Sequence, residues 1–205
     1  NVVQSVAPLG QTSTFEYDRI GRLTKVIDPR GEATTYVHDG FGQLWSQTSP
    51  DTGTTTFEYN TGGLRTKMTR ASGGVTSFAY DDLGRPSTIT AGGQTQTFSY
   101  DTCTHGKGQL CQVSDPTGSI SYTYTPQGRL ASQSSVMPAG GSATYAYTYD
   151  TQGRLTGIGY PGNVGVGYGY ANGQLRTVTA SISGTSHNVV TGLRHRPFGG
   201  PEMWS

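Results

Sequence analysis

The chain has 205 residues, a formal net charge of +1 and only 13% charged residues, but 31 glycines and 13 tyrosines. This balance, without a basic stripe, excludes the electrostatic footprint of a nucleic-acid-binding protein, and no apolar run approaches the ~20 residues of a membrane-spanning helix. Many aromatic residues and few charges also argue against disorder and favour short strands joined by tight turns.

A nine-residue pattern starts at Phe15 and occurs eight times along the chain, about every 21 residues. Its first copy, residues 15–23, reads aromatic, any residue, tyrosine, acid, two variable residues, glycine, arginine, leucine. Such regular repetition indicates a tandem array of one structural unit. The tyrosine position falls at Tyr17, His38, Tyr59, Tyr80, Tyr100, Tyr124, Tyr149 and Tyr170.

The first copy predicts a β-hairpin. Around Phe15 and Tyr17, polar and aromatic residues alternate with a period of two, which places the rings on one face of a strand. Residues 18–21 favour a tight turn with a G1 bulge, because Asp accepts backbone hydrogen bonds and glycine tolerates positive φ. Residues 23–27 form the return strand, with Leu23 expected on the face of Lys25, and a second turn at 28–31 leads onward.

The other copies repeat the glycine of this turn, and three of them repeat the arginine that follows it. The predicted turn glycines are Gly21, Gly42, Gly62, Gly84, Gly108, Gly128, Gly153 and Gly173. The arginines are Arg22, Arg85, Arg129 and Arg154. We expect these arginines to pair with the acid of their own turn where one is present, and the third and eighth turns to be one residue shorter.

Side-by-side hairpins predict an all-β fold over residues 1–180, in which tandem hairpins form a curved, spiralling antiparallel sheet. The aromatic-x-Tyr-Asp-x-x-Gly-Arg-Leu core, followed by the Asp-Pro-Arg-Gly turn at 28–31, resembles the YD repeat of the Rhs family. That repeat also occurs in the C components of insecticidal Tc toxins, in bacterial wall-associated proteins and in animal teneurins. Residues 196–200 resemble a Pro-Phe-Gly segment between repeat blocks, so we assign 181–205 to an inter-block region.

The resemblance implies a hollow β-shell, which in Rhs and Tc proteins encloses a toxic C-terminal domain. It predicts a non-catalytic structural segment of an exported bacterial protein, secreted or at the cell surface, in a wall around a toxin or effector. Because the chain starts inside the pattern, we interpret it as part of a longer polypeptide whose neighbouring repeats are its partners. The alternative is an extracellular adhesin or fibre segment that binds glycans or self-assembles.

Cys103 and Cys111 lie on either side of the longest turn. If the strands that carry them pair, their sulfurs come within disulfide distance, and a disulfide suits an exported protein. A metal site that includes His105 is an alternative, although the spacing is not that of a zinc motif and no fourth ligand is evident. Two free buried thiols are the third interpretation. We predict the disulfide, and neither a metal nor a cofactor.

Tyrosines are dense between residues 122 and 170, where alternate positions place several rings on one strand face. This pattern favours packing between neighbouring strands, but half-exposed rings also stack on sugars. The candidate glycan-contacting aromatics are Tyr122, Tyr145, Tyr147 and Tyr168. No Gly-x-Ser-x-Gly elbow occurs, and His187 and His195 have no paired carboxylate nearby, so we predict no enzymatic activity.

Overall fold

The computed structural model describes residues 1–196 and 200–203, which form β-strands and one short 3₁₀ turn at Pro8–Gly10. The predicted Pro-Phe-Gly segment therefore lies largely outside the described residues. The chain divides into two compact units, Asn1–Thr95 and Gln96–Ser205, which we describe separately. The predicted division at residue 180 stays a prediction.

In the first unit, each strand pairs antiparallel with the strand that follows it in the chain. The strands are β1 (Gln4–Val6), β2 (Thr12–Tyr17), β3 (Leu23–Ile27), β4 (Ala33–His38), β5 (Leu44–Ser49), β6 (Gly53–Tyr59), β7 (Arg65–Thr69), β8 (Val75–Tyr80) and β9 (Pro86–Ala91). Strand β1 pairs with β2 in the register Gln4 to Thr14, and so occupies the place of a return strand before the first copy.

The second unit continues the same sequential antiparallel pairing through β18, and β19 pairs with β20 in a separate ribbon. The strands are β10 (Gln94–Tyr100), β11 (Leu110–Asp115), β12 (Gly118–Tyr124), β13 (Leu130–Val136), β14 (Ser142–Tyr149), β15 (Leu155–Tyr160), β16 (Val164–Ala171), β17 (Gln174–Ile182), β18 (Thr185–Val190), β19 (Arg194–His195) and β20 (Pro201–Met203). The predicted all-β fold of tandem hairpins is confirmed.

A β-bulge lies beside the tyrosine position in every copy. In the first hairpin, Glu16 pairs with Lys25 but Tyr17 pairs with Leu23, so residue 24 is the extra residue. The bulge follows from the turn, because Gly21 has a φ of 85° and the N–H of Asp18 donates to the carbonyl of Arg22 at 2.9 Å. Leu23 therefore joins the tyrosine face, not the Lys25 face that simple alternation predicts.

The two faces of the second unit differ in the size of their side chains. The tyrosine face carries rings and aliphatic groups, such as Tyr147 paired with Ile158 and Tyr168 paired with Val178. The opposite face carries glycine and small hydroxyl residues. These include Ser132, Ser134, Thr144, Thr148, Gly157, Gly165, Gly167, Gly169, Thr177, Thr179 and Ser181.

Few side chains are fully buried in either unit. Among the described residues, the buried hydrophobic side chains are Phe57, Cys111 and Leu193, with exposed fractions of 8%, 3% and 7%. The other rings of the tyrosine face are mostly half-buried between strand neighbours. Contacts between elements run mainly between strands that are adjacent in the chain, so each unit is one layer thick.

Candidate functional site

In the turns at Asp18, Asp81 and Asp150, the acid closes its turn with both carboxylate oxygens. In the first copy, Oδ1 of Asp18 accepts the N–H of Ile20 at 3.0 Å and of Arg22 at 2.9 Å, and Oδ2 accepts Nε of Arg22 at 2.6 Å. The Asp81–Arg85 and Asp150–Arg154 pairs repeat the carboxylate–Nε contact at 2.7 Å. The predicted pairing of turn acid and arginine is thus present in these copies.

Hydrogen bonding sets the protonation of these acids. The backbone hydrogen bond from Arg22 is the largest influence on Asp18, and the pKa of that carboxyl lies below its usual value although burial opposes the shift. At Asp81 and Asp150 burial raises the pKa, but the hydrogen bonds from Arg85 and Arg154 outweigh it and the net pKa is lowered. The turns therefore hold their acids in the charged form.

The arginines also reach the next copy. Nη1 of Arg22 donates to the backbone carbonyl of Asp39 at 3.3 Å. The guanidinium of Arg129 lies 5.7 Å from the ring centre of Tyr149, and that of Arg154 lies 4.5 Å from the ring centre of Tyr170. Each such arginine therefore links its own turn to the following hairpin.

The repeated tyrosine has a structural partner that sequence reasoning missed. Its hydroxyl donates to a backbone carbonyl at or just before the start of the preceding return strand, usually 15 residues earlier. The bonds are Tyr17 to Val2 (2.8 Å), Tyr59 to Leu44 (2.9 Å), Tyr80 to Arg65 (2.7 Å), Tyr124 to Leu110 (2.6 Å), Tyr149 to Leu130 (2.9 Å) and Tyr170 to Leu155 (2.9 Å). The offset of 15 residues in four of the six bonds was the signal available in the sequence.

The third turn differs from its predicted form. The left-handed glycine is Gly63, with a φ of 80°, not Gly62, and its N–H donates to the carbonyl of Asn60 at 3.0 Å. The turn therefore has the standard length, and Arg65 takes the position opposite Tyr59 that leucine holds in most other copies. The eighth turn is shorter, as expected, because Asn172 and Gly173 both have positive φ between the paired residues Ala171 and Gln174.

The long fifth turn is closed by the Cys103–Cys111 disulfide, whose sulfurs lie 2.11 Å apart. Gly106 lies against the disulfide, so that an added Cβ would collide with both sulfurs. The carbonyl of Thr104 accepts the N–H of Tyr124 at 3.1 Å, which ties the loop to β12. No group of three or more potential metal ligands occurs in the described part of the chain.

The four candidate glycan-contacting tyrosines lie on one face of the second unit and are half-buried. Tyr145 meets Tyr160 edge to face with ring centres 5.8 Å apart, and Tyr122 pairs with Gln133 across the strands. Their rings are thus partly used in packing between strands, while part of each surface faces solvent.

A cleft that sequence analysis did not identify lies between the second and third turns, with a volume of ≈ 940 Å³. Phe41 and Trp45 are its most exposed aromatic walls, with exposed fractions of 93% and 55%. Gln43 also lines the cleft, at the position where four of the other copies carry arginine. That substitution was the signal available in the sequence. Among the described residues, no helix is long and apolar enough to cross a membrane.

The family model Teneurin YD-shell matches residues 10–188. The chain superposes on a crystal structure of TcdB2-TccC3-Cdc42 with a TM-score of 0.80 at 17% identity, covering 98% of this chain and 12% of that one. A Tc holotoxin pore structure from Photorhabdus luminescens gives the same TM-score, identity and coverage. No curated protein matches the chain.

Proposed function

The chain belongs to the teneurin YD-shell family, and from this we propose that it is a wall segment of a hollow β-shell that encloses a toxin or effector domain. The chain spans 12% of the length of the TcdB2-TccC3 chains that it superposes on, so the complete wall is part of the proposal. The role is mechanical: a closed wall keeps the enclosed domain from acting until it is released.

The observation that carries the proposal is the one-layer construction of each unit. A globular domain normally packs two or more layers around a core. Here only Phe57, Cys111 and Leu193 are buried hydrophobic side chains among the described residues. Stability comes instead from repeated links between neighbouring hairpins, such as the Tyr149 to Leu130 hydrogen bond. Such links let a sheet extend as a wall without a solid interior.

We further propose that the source protein is bacterial and exported, either secreted or held at the cell surface. The Cys103–Cys111 disulfide supports this, because disulfides persist in oxidising compartments and are rare in the cytosol. The described residues offer no cluster of metal ligands, and the repeated acids and arginines serve the turns. A structural role therefore accounts for the recurrent polar groups without assigning them chemistry.

The test is a cryo-EM map of the longest natural polypeptide that contains this chain. We expect a closed β-wall with density inside it. A protease site placed in the exposed turn at residues 138–140 should be cut in the intact protein, while the same site in the enclosed domain should be cut only after denaturation. An open or filamentous array, or equal cleavage at both sites, would reject the enclosure.

One observation favours a second function, glycan binding by an adhesin or fibre. The partly exposed rings of Tyr122, Tyr145, Tyr147 and Tyr168 form a face on which sugars could stack. A glycan array distinguishes the two functions: binding that Tyr147→Ala abolishes, with folding unchanged, would favour the adhesin. Absence of glycan binding together with a closed wall would leave the rings as packing groups.

A further inference from the structure

The cleft between the second and third turns is lined by Asp39, a turn acid that has no arginine four residues later. In the turns at Asp18, Asp81 and Asp150, the second carboxylate oxygen accepts Nε of an arginine four residues later. In the second copy that position is Gln43. Oδ1 of Asp39 still accepts the N–H groups of Phe41 (2.9 Å) and Gln43 (2.8 Å). Among the described residues, Oδ2 of Asp39 receives no side-chain donor.

An equivalent cleft elsewhere in the chain shows what an arginine does in this place. Between the sixth and seventh turns, a cleft of ≈ 460 Å³ is lined by Arg129, whose guanidinium lies over the ring of Tyr149. Tyr59 holds the same repeat position as Tyr149, and no described guanidinium lies over its ring. The cleft beside Tyr59 is about twice as large, at ≈ 940 Å³.

The side chain of Gln43 points in the same direction as the arginine of other copies, but it carries no charge. Its Nε2 lies 3.0 Å from where a Cβ on Gly63 would be, just as Nη1 of Arg22 lies 3.4 Å from the corresponding point on Gly42. The amide therefore points along the same route towards the next turn. The glutamine side chain is shorter than that of arginine and neutral, so it forms no ion pair with the carboxylate of Asp39.

The other charged groups nearby are already engaged. Glu58, the second acid that lines the cleft, is paired with Lys67 at 2.9 Å. Arg22 is held by Asp18 at 2.6 Å, and its Nη1 donates to the backbone carbonyl of Asp39 at 3.3 Å, not to the carboxylate. Arg65 lies against the rings of Phe57 and Phe78, with its guanidinium carbon 5.1 and 5.8 Å from their centres. Asp39 is thus the carboxylate in the cleft that is free to meet a cation.

The walls suit a flat, delocalised cation. Trp45, Phe41 and Tyr59 supply aromatic faces, and a cation within about 6 Å of such a ring is attracted by its quadrupole. A guanidinium stacks on rings and forms directed hydrogen bonds to a carboxylate, whereas an ammonium is more strongly hydrated. We propose that this cleft binds the guanidinium group of an arginine side chain presented by another polypeptide segment.

Trp45 reports binding directly. In a Trp204→Phe background it is the only tryptophan of the chain, so its fluorescence can be titrated with N-acetylarginine amide. We expect a saturable change. The citrulline analogue has nearly the same shape but no charge, and it should bind about tenfold more weakly or worse, because hydrogen bonds to charged groups contribute more. The lysine analogue should also bind more weakly.

Two substitutions in the cleft complete the test. Gln43→Arg should fill the site from within the chain and abolish probe binding, while Gln11→Arg adds the same charge at an exposed position and should leave binding unchanged. Asp39→Asn should also abolish binding. It should fold, since Asn60 caps the third turn with the same two backbone hydrogen bonds. Circular dichroism checks the fold of each variant.

Three results would overturn the proposal: no fluorescence change with the arginine probe, equal affinity for the citrulline probe, or arginine binding that survives in the folded Gln43→Arg or Asp39→Asn variant. None of these depends on whether the wall encloses a domain. The cleft and the enclosing function can therefore fail independently.

Discussion

The hydroxyl of Tyr149 offers the simplest test of the residue-scale contacts. It donates to the carbonyl of Leu130 at 2.9 Å in a partly buried setting. We expect Tyr149→Phe to lower the free energy of unfolding by about 1 kcal/mol, because the carbonyl loses its donor while the ring stays in place. Urea unfolding followed by circular dichroism measures the difference.

Tyr122→Phe is the matched control, since Tyr122 also lies on the tyrosine face and no described group is bonded to its hydroxyl. It should change the unfolding free energy by less than about 0.5 kcal/mol. Equal effects of the two substitutions would show that the Leu130 bond contributes nothing specific.

The turn acids predict how stability responds to pH. The backbone hydrogen bond from Arg22 helps to lower the folded pKa of Asp18 below the ordinary 3.8, and the pKa values of Asp81 and Asp150 are lowered as well. A depressed folded pKa contributes stability that is complete above the unfolded pKa and is lost as pH falls through the folded pKa. We expect the urea concentration at the unfolding midpoint to decrease as the pH is lowered below about 4. In a variant with all three acids changed to Asn, this decrease should be less steep. Parallel curves would contradict this role.

At the scale of single residues, the sequence predicts the contacts that form between residues close together in the chain. The cap formed by Asp18 and its pairing with Arg22 follow from turn rules that need only neighbouring residues. The acceptor of Tyr149 could not be derived in this way, because it lies on the preceding hairpin and depends on how two hairpins align. The site beside Asp39 could be predicted only in part. The sequence shows that Gln43 replaces the arginine, but it does not show that a cleft opens there.

At the scale of the hairpin, the third turn can be tested by two adjacent glycines. Gly63 has a φ of 80°, whereas Gly62 is not in the left-handed region. We expect Gly63→Ala to destabilise the chain by about 1–2 kcal/mol, because a Cβ is disfavoured there. Gly62→Ala should be close to neutral. Thermal unfolding of both variants measures the contrast, and the reverse order would restore Gly62 as the turn glycine.

The fifth hairpin depends on its disulfide. Closing a loop of this length restricts the unfolded chain and contributes about 2–3 kcal/mol. We therefore expect a reductant to lower the unfolding midpoint of the wild-type chain. A Cys103→Ser, Cys111→Ser double variant should start from the lower midpoint and show no further response. A midpoint unchanged by reductant would mean that the hydrogen bond from Tyr124 to Thr104 is enough to hold the loop.

The repeat period predicted the succession of hairpins, but not their inner register. Gly62 and Gly63 are adjacent, and nothing local to the pattern indicates which of them adopts positive φ. Leu23 was expected beside Lys25 because simple alternation ignores the bulge that shifts it opposite Tyr17. Strand β1 was missed because Gln4–Val6 lacks the pattern and gains its place only by pairing with β2.

At the scale of the whole chain, stability should be local. The strands of each unit pair with their neighbours in sequence, an arrangement in which stability approximates a sum over repeats and their interfaces. Gly153→Val forces a side chain into a turn with a φ of 84° and against the guanidinium of Arg129. We expect hydrogen exchange to accelerate in β13–β16 but to stay unchanged in β2–β5. Uniform acceleration would show one cooperative unit instead.

The tyrosine bond also has a direction along the chain. In each observed case the hydroxyl belongs to the later hairpin and the acceptor to the earlier one, as with Tyr80 and Arg65. During translation, the acceptor residue has therefore already been synthesised when its tyrosine is added. Each new hairpin can pair with the preceding one without waiting for downstream sequence, so the sheet can extend one hairpin at a time as the chain is synthesised.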